Sequence, residues 1–428
     1  MIAPARMAAF DALLAWEKRG ADLPGCLAAA RRALDDPRDQ ALLTELVNGT
    51  VRMRLALDYQ IGLRARRPLA GFDVEVLVAL RLGACQLLYL DRLPAAAVVN
   101  DAVSLVRRSG KTSAGALVNA VLRALARERR SLAWPEGDDA AALAIRESHP
   151  EWLVRRWIDR YGVAATRAWL AFDNQSPALC LAVNPARGTR QELAERLRAE
   201  GVETRPTARS PLGLHVERGS ALTTAAFRDG WCVVQDEASQ LVVAGLDVRP
   251  GRRVLDLCAA PGGKTVTIAA RAAPGGRVVA CDVRPRRVRL LRQTLARTAA
   301  QGTSVACVDP DAELPFVDDA FDLVFVDAPC SGLGTLRRDP DIRWTRQEAD
   351  LPRLASRQLG LLGRASRLVR PGGALVYATC SSEPDENEQV VSAFLSSRDD
   401  FVKVHEHRTT PPDDGLEAFY AATLTRKL

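Results

Sequence analysis

Apolar residues recur at three- and four-residue spacing over 7–16, 40–57, 74–90, 95–106 and 114–126. That is the period of helices that bury one face. Pro24, Pro37, Pro68 and Pro94 punctuate these stretches. The pattern predicts an all-α bundle over residues 1–130. The longest apolar run, 74–90, contains Arg81 and has Glu75 and Asp91 near its ends. It is too short and too charged for a membrane span and reads as a buried core helix. Residues 131–175 read as a linker and helical connector. Trp134-Pro135-Glu136-Gly137-Asp138-Asp139 is expected to be exposed, and His149-Pro150-Glu151-Trp152 opens another helix.

The pattern then changes. Strands are expected at 179–184, 212–216 and 231–235 with a helix at 191–199, which makes a small α+β module over 176–235. From 236 to 428, short apolar runs at 254–257, 277–281, 304–308, 323–326 and 374–377 alternate with helical segments. This alternation predicts an α/β domain around a mainly parallel, doubly wound sheet. No internal repeat or low-complexity tract interrupts it.

The chain has 428 residues, 47% apolar and 26% charged, enough for several buried cores. The start carries no signal-peptide pattern, and the expected location is the cytoplasm. A net charge of +7 favours a polyanionic partner. In the helical part, Arg52, Arg54, Arg64, Arg66, Arg67, Arg107, Arg108 and Lys111 are candidates for phosphate contacts. The nine cysteines are scattered without a C-x-x-C pair, and there are four histidines. No metal site is expected, and His405 and His407 read as strand residues.

Three motifs carry candidate chemistry. The first is Asp256-Leu257-Cys258-Ala259-Ala260-Pro261-Gly262-Gly263-Lys264-Thr265, after a strand and opening a helix. Small residues allow close backbone approach, and the helix start offers free N–H groups. Cys258 stands where a Walker A loop needs glycine, and 323–327 resembles a strand ending in a metal-binding acid, so a P-loop ATPase is the rival enzyme class. Asp282 ends the next strand, where an acid can bond a ribose hydroxyl. The second motif is Asp327-Ala328-Pro329-Cys330-Ser331-Gly332-Leu333-Gly334-Thr335, followed by Arg337-Arg338-Asp339-Pro340-Asp341-Ile342-Arg343-Trp344. The third is Tyr377-Ala378-Thr379-Cys380-Ser381, followed by Pro384-Asp385-Glu386-Asn387-Glu388. Each sets a cysteine just past the carboxyl end of a strand, the edge where open α/β sheets bind ligands.

These motifs resemble those of the bacterial ribosomal RNA cytosine-5 methyltransferases. Leu46-Val47-Asn48-Gly49-Thr50-Val51-Arg52, 82–90 and 118–123 resemble the NusB-type RNA-binding domain that precedes the catalytic domain in the small-subunit branch of that family. The resemblance spans nearly the whole chain. It implies a Rossmann-like methyltransferase domain, S-adenosylmethionine as cofactor and small-subunit ribosomal RNA as substrate. The RNA is expected to be unassembled or partly assembled, and as nothing in the sequence demands an oligomer, the enzyme is expected to be a monomer. Cofactor contacts would come from Cys258, Ala259, Ala260, Pro261, Gly262, Gly263, Lys264, Asp282, Asp309 and Asp327. Cys380 would attack carbon 6 of cytosine, Cys330 would assist proton removal and release, and Asp327 would bond the base. In DNA enzymes of like chemistry the Pro-Cys cysteine attacks, so exchanged roles stay open. A scaffold that binds RNA without catalysis is the remaining alternative. Three positions depart from the family pattern: Pro310 after Asp309, Ala182 in place of an arginine thought to touch RNA, and Gly415-Leu416-Glu417-Ala418-Phe419-Tyr420 near the end.

Overall fold

The computed structural model describes residues 2–91, 93–309 and 311–428. The departure at Pro310 lies outside them. The chain divides into two compact units, Met1–Gln175 with Leu336–Thr345, and Ser176–Thr335 with Arg346–Leu428.

The first unit is helical. Its helices are α1 (Pro4–Arg19), α2 (Leu23–Arg32), α3 (Pro37–Arg52), α4 (Arg54–Ala65), α5 (Val74–Tyr89), α6 (Ala95–Arg108), α7 (Gly115–Glu128), α8 (Ala140–Glu147) and α9 (Glu151–Asp173). Asp22, Asp36 and Asp139 accept backbone N–H groups at helix starts, the usual way to satisfy the first turn. The single helix expected over 40–57 is two. Met53, at φ −95° and ψ 15°, ends α3 and starts α4. The apolar spacing runs through this break because both helices bury residues in the same core. α5 is the core helix, buried at Val76, Leu80, Ala84 and Leu87 among others. No helix among the described residues is long and apolar enough to cross a membrane. Trp134 in the expected linker is half-buried and stacks on Tyr59 at 6.2 Å.

Several of the phosphate candidates in this unit also make contacts within the fold. Arg52 is buried and donates to the Arg337 carbonyl at 2.9 Å. Arg54 pairs with Glu17, Arg64 with Glu128, Arg108 with Asp11 and Lys111 with Asp73. Arg67 lies over the Phe72 ring. Arg66 and Arg107 are exposed.

The second unit holds two sheets. The smaller is antiparallel, in the order β2 (Glu203–Pro206), β3 (Gly213–Arg218), β1 (Cys180–Val183), β4 (Cys232–Val234). Helices α10 (Arg190–Ala199) and α11 (Ala225–Arg228) accompany it. Thr189 and Glu192 form a capping box at the start of α10. Ala182 is fully buried in β1 with Val233, Ala260 and Ala280 around it, so this position is core and not an RNA-facing surface.

The larger sheet has the order β10-β11-β9-β8-β5-β6-β7. Its strands are β5 (Arg253–Asp256), β6 (Arg277–Asp282), β7 (Thr303–Cys307), β8 (Phe321–Asp327), β9 (Val369–Thr379), β10 (Phe401–Thr409) and β11 (Phe419–Arg426). Helices α12 (Glu237–Ala244), α13 (Gly263–Ala272), α14 (Pro285–Arg297), α16 (Asp350–Ser366), α17 (Glu388–Ser397) and the single turn α18 (Pro411–Asp414) belong to it, while the single turn α15 (Ile342–Thr345) packs in the first unit. β5, β6, β7, β8 and β9 pair in parallel, and β11 runs antiparallel to both its neighbours. This is the Rossmann-like sheet expected, with a reversed strand near one edge. His405 and His407 lie in β10, as the sequence suggested.

Candidate active site

Strand register brings the second and third motifs together. β8 and β9 are parallel neighbours, with Asp327 opposite Ala378. Cys330 lies three residues past Asp327, and Cys380 two past Ala378. Their Sγ atoms come within 3.3 Å of each other. Both thiols are partly exposed. The Cys330 thiol is held well above its ordinary range, first by the hydrogen bond to Cys380 and then by burial. Its protonated form is therefore the favoured one.

Buried polar groups fix this geometry. Glu386 is fully buried. One of its oxygens accepts from the Ser331 N–H at 2.8 Å and the Gln358 amide at 2.9 Å; the other accepts from the Ser331 and Ser381 hydroxyls. One carboxylate thus ties the turn after Cys330 to the turn after Cys380. Asn387 donates to the Ser381 carbonyl at 3.0 Å, and Tyr377 Oη donates to the Glu386 carbonyl at 2.6 Å. Gly334 donates its N–H to the Cys380 carbonyl at 2.9 Å. A Cβ on Gly334 would stand 2.0 Å from the Ala418 carbonyl oxygen and 2.8 Å from that of Cys380. The second glycine of the D-A-P-C-S-G-x-G stretch is therefore set by close backbone approach.

The first motif faces the same edge. Lys264, on the first turn of α13, donates to Asp327 at 2.8 Å. Burial pulls the Lys264 ammonium down, but the charge and hydrogen bond of Asp327 outweigh it, and the group is raised overall. Asp256 at the end of β5 accepts from Thr265 Oγ1 at 2.7 Å, while its other oxygen is buried without a partner. Burial raises this carboxyl to about 7. Cys258 is pushed well above the usual thiol range by burial and then by Asp327, Asp256 and Asp282. It is kept as a neutral thiol, unlike a nucleophile. The loop is pinned to β6 by Ala259 N–H to the Cys281 carbonyl at 2.8 Å and Ala260 N–H to Asp282 at 3.3 Å. Gly262 has φ +103° and closes the turn into α13. Asp282 is 2% exposed. Asp309 is exposed beyond β7 and accepts the Asp311 N–H at 2.9 Å. The structure gathers 258–264, Asp282, Asp327, Cys330 and Cys380 on one sheet edge; Asp309 stands at the outer end of that edge.

The groups along this edge fit S-adenosylmethionine. Carboxylates suit a cationic sulfonium, an ammonium and a ribose diol, and the buried Asp256 oxygen lacks a donor. The sequence assigns no role to Gln358, or to Glu386 within the stretch that follows the third motif. The signal for Glu386 is an acid six residues past Cys380 inside a segment that otherwise reads as a loop. Gln358 has none beyond a polar side chain on the apolar face of α16.

Comparison with known proteins identifies the family. The family model described as 16S rRNA methyltransferase RsmB/F matches residues 243–425. The NusB family matches 3–127, and the ferredoxin-like domain of RsmF/B-like methyltransferases matches 149–223. The chain is 35% identical to the probable ribosomal RNA small subunit methyltransferase B of Bacillus subtilis, over 85% of this chain and 81% of that protein. It is 34% identical to ribosomal RNA small subunit methyltransferase B of Vibrio cholerae, over 99% and 97%. The crystal structure of PH0851 shares the fold at a TM-score of 0.85 and 24% identity, over 99% of each chain. These matches do not favour the ATPase or the non-catalytic scaffold. The chain belongs to the RsmB/F family of ribosomal RNA methyltransferases, with a NusB-type domain ahead of an S-adenosylmethionine-dependent catalytic domain.

Proposed function

We propose that the protein methylates carbon 5 of a cytosine in small-subunit ribosomal RNA, unassembled or partly assembled, as a cytoplasmic monomer. The observation that carries this reading is the pair of thiols 3.3 Å apart beside the Lys264–Asp327 ion pair. S-adenosylmethionine supplies a methyl group on a positively charged sulfur. Residues 258–264 would cradle it, Asp282 would accept from its ribose, and Asp309 would contact its adenine. Residues 1–130, 131–175, 176–235 and 236–428 serve as NusB-like RNA-binding domain, connector, RNA-binding-like module and catalytic domain.

Carbon 5 of cytosine is a poor nucleophile. The Cys380 thiolate adds to carbon 6, and the electron pair of the 5,6 double bond makes carbon 5 enamine-like. Asp327, oriented by Lys264, accepts from the amino group, and from ring nitrogen 3 once that nitrogen takes a proton from solvent as the thiolate adds; both contacts stabilise the adduct, and the ring-nitrogen proton returns to solvent on elimination. Cys330 donates its S–H to the Cys380 thiolate before attack. Carbon 5 would then take the methyl group, whose bond to the positively charged sulfur breaks to leave a neutral thioether. With Cys380 itself bonded to carbon 6, the interaction that most raises Cys330 is gone. Cys330 then gives its proton to solvent more readily and its thiolate takes the carbon-5 proton. The 5,6 double bond re-forms and Cys380 leaves as thiolate.

The test separates the two thiols. Cys380→Ala is expected to give neither product nor adduct. Cys330→Ala is expected to accumulate a methylated protein–RNA adduct that survives a denaturing gel. An adduct from the Cys380 variant and none from the Cys330 variant would exchange the roles. Methyl transfer labelling any base position other than carbon 5 of cytosine would overturn the reading.

A further inference from the structure

The helix that follows Asp282 has a charge pattern that fold stability does not explain. Residues 284–297 read Arg-Pro-Arg-Arg-Val-Arg-Leu-Leu-Arg-Gln-Thr-Leu-Ala-Arg, six arginines and no acid. Val288, Leu291 and Leu295 bury one face of α14. Arg287 is tied to the fold, donating to the Ala260 carbonyl at 2.7 Å and pairing with Asp282 at 3.5 Å. Arg297 donates to the carbonyls of Phe227 and Cys232. Arg284, Arg286, Arg289 and Arg292 are exposed, and none forms an ion pair among the described residues.

Other exposed helices of this unit behave differently. On α16, Arg353 pairs with Asp350, and Arg357 and Arg364 pair with Asp311. On α10, Glu192 and Glu195 alternate with Arg196 and Arg198. In α14, like charges follow each other at three-residue steps, which repel. Several also sit on the first turn, where the helix dipole disfavours cations. An arrangement unfavourable in isolation becomes favourable against a polyanion.

The position of the helix points to which one. The Arg287 bond to Ala260 sets the first turn of α14 against the 258–264 loop, on the edge that carries both cysteines. From Arg286 to Arg292 the helix rises about 9 Å, a span of roughly two backbone phosphates of an extended single strand. We propose that the exposed arginines of α14 form a track for the sugar-phosphate backbone of the RNA substrate as it enters the site. This rests on the reading of the protein as an RNA methyltransferase.

The experiment replaces Arg286, Arg289 and Arg292 together by Gln. RNA affinity is measured across a salt series, alongside methyl transfer and S-adenosylmethionine binding. Each lost phosphate contact flattens the log–log salt slope by about 0.7 to 0.9, so the triple variant, losing about two contacts, is expected to be shallower by about 1.4 to 1.8. Its KM for RNA is expected to rise while kcat at saturating RNA and cofactor affinity stay unchanged. Parallel salt slopes for variant and wild type, with methyl transfer intact in both, would overturn the track alone. A wild-type protein that neither binds nor methylates RNA would overturn the track together with the reading beneath it.

Discussion

At the scale of the residue, the most consequential side chain is Glu386, which touches neither thiol. Every contact it makes is as an acceptor, from Ser331, Ser381 and Gln358. Glu386→Gln replaces one oxygen with a donor. That NH2 must face either the Ser331 N–H and the Gln358 amide or the two serine hydroxyls. The hydroxyls can turn, but they then have to share each other. The unfolding free energy is expected to fall by about 1–3 kcal/mol, the cost of a mismatched buried polar group. Because the carboxylate ties both cysteine turns, kcat is expected to fall more than tenfold, with little change in cofactor affinity. Urea unfolding and single-turnover methyl transfer measure the two effects. A destabilised variant with wild-type kcat would leave Glu386 a packing residue with no hold on the thiols.

At the scale of the element, the chemistry depends on where strands end. The parallel pairing of β8 and β9, and the return of β11 beside β9, set the two cysteine turns and Ala418 around Gly334. Gly334→Ala would place a methyl 2.0 Å from a backbone oxygen, so the Cys380 turn or the segment before β11 must move. A displacement near 1 Å at reacting groups costs about 10²-fold in rate. Methyl transfer is expected to fall by about that factor while the far-ultraviolet circular dichroism stays that of the wild type. Unchanged turnover would show that the close approach is not required. The same elements explain what the sequence disclosed. β5, β6, β8 and the end of β9 are flanked by helices and buried, so Val254–Leu255 and Leu323–Val326 stand out as apolar runs. Their ends then locate Asp282, Asp327, Cys330 and Cys380. β2 is not legible in the sequence, and of β10 only His405 and His407 read as strand. Glu203–Pro206 is an edge strand of polar residues, and Val402 and Val404 in β10 face solvent among charges. Edge strands bury little and carry charge that disguises their period. The break at Met53 was hidden because burial continued across it.

At the scale of the whole molecule, sequence order and packing part company at one place. Leu336–Thr345 follows the Cys330 turn directly, yet it packs within the helical unit. Arg343 is 1% exposed. Its guanidinium donates to the carbonyls of Arg52, Ser148 and Asp173 and to Asn174 Oδ1 at 2.8–3.1 Å. Trp344 Nε1 donates to the Val51 carbonyl at 2.7 Å. These acceptors lie at the ends of α3, α8 and α9, where carbonyls have no partner within the helix. Burial lowers the Arg343 guanidinium to about 9, so the site still holds a cation at neutral pH. A fragment of residues 1–175 would lack this donor set and leave several buried carbonyls unmatched. It is expected to melt lower than the same fragment with a peptide of residues 336–345 added. A ligand at 100 times its Kd adds about 2.7 kcal/mol, which for a domain of this size is roughly 5–10 °C. A peptide carrying Arg343→Met should give little of that shift. Thermal melts across a peptide titration decide it. A fragment equally stable with and without the peptide would mean that the segment rests on the helical unit without completing it. A shift that grows with peptide concentration would mean that the helical unit is finished only after the Cys330 turn has been made.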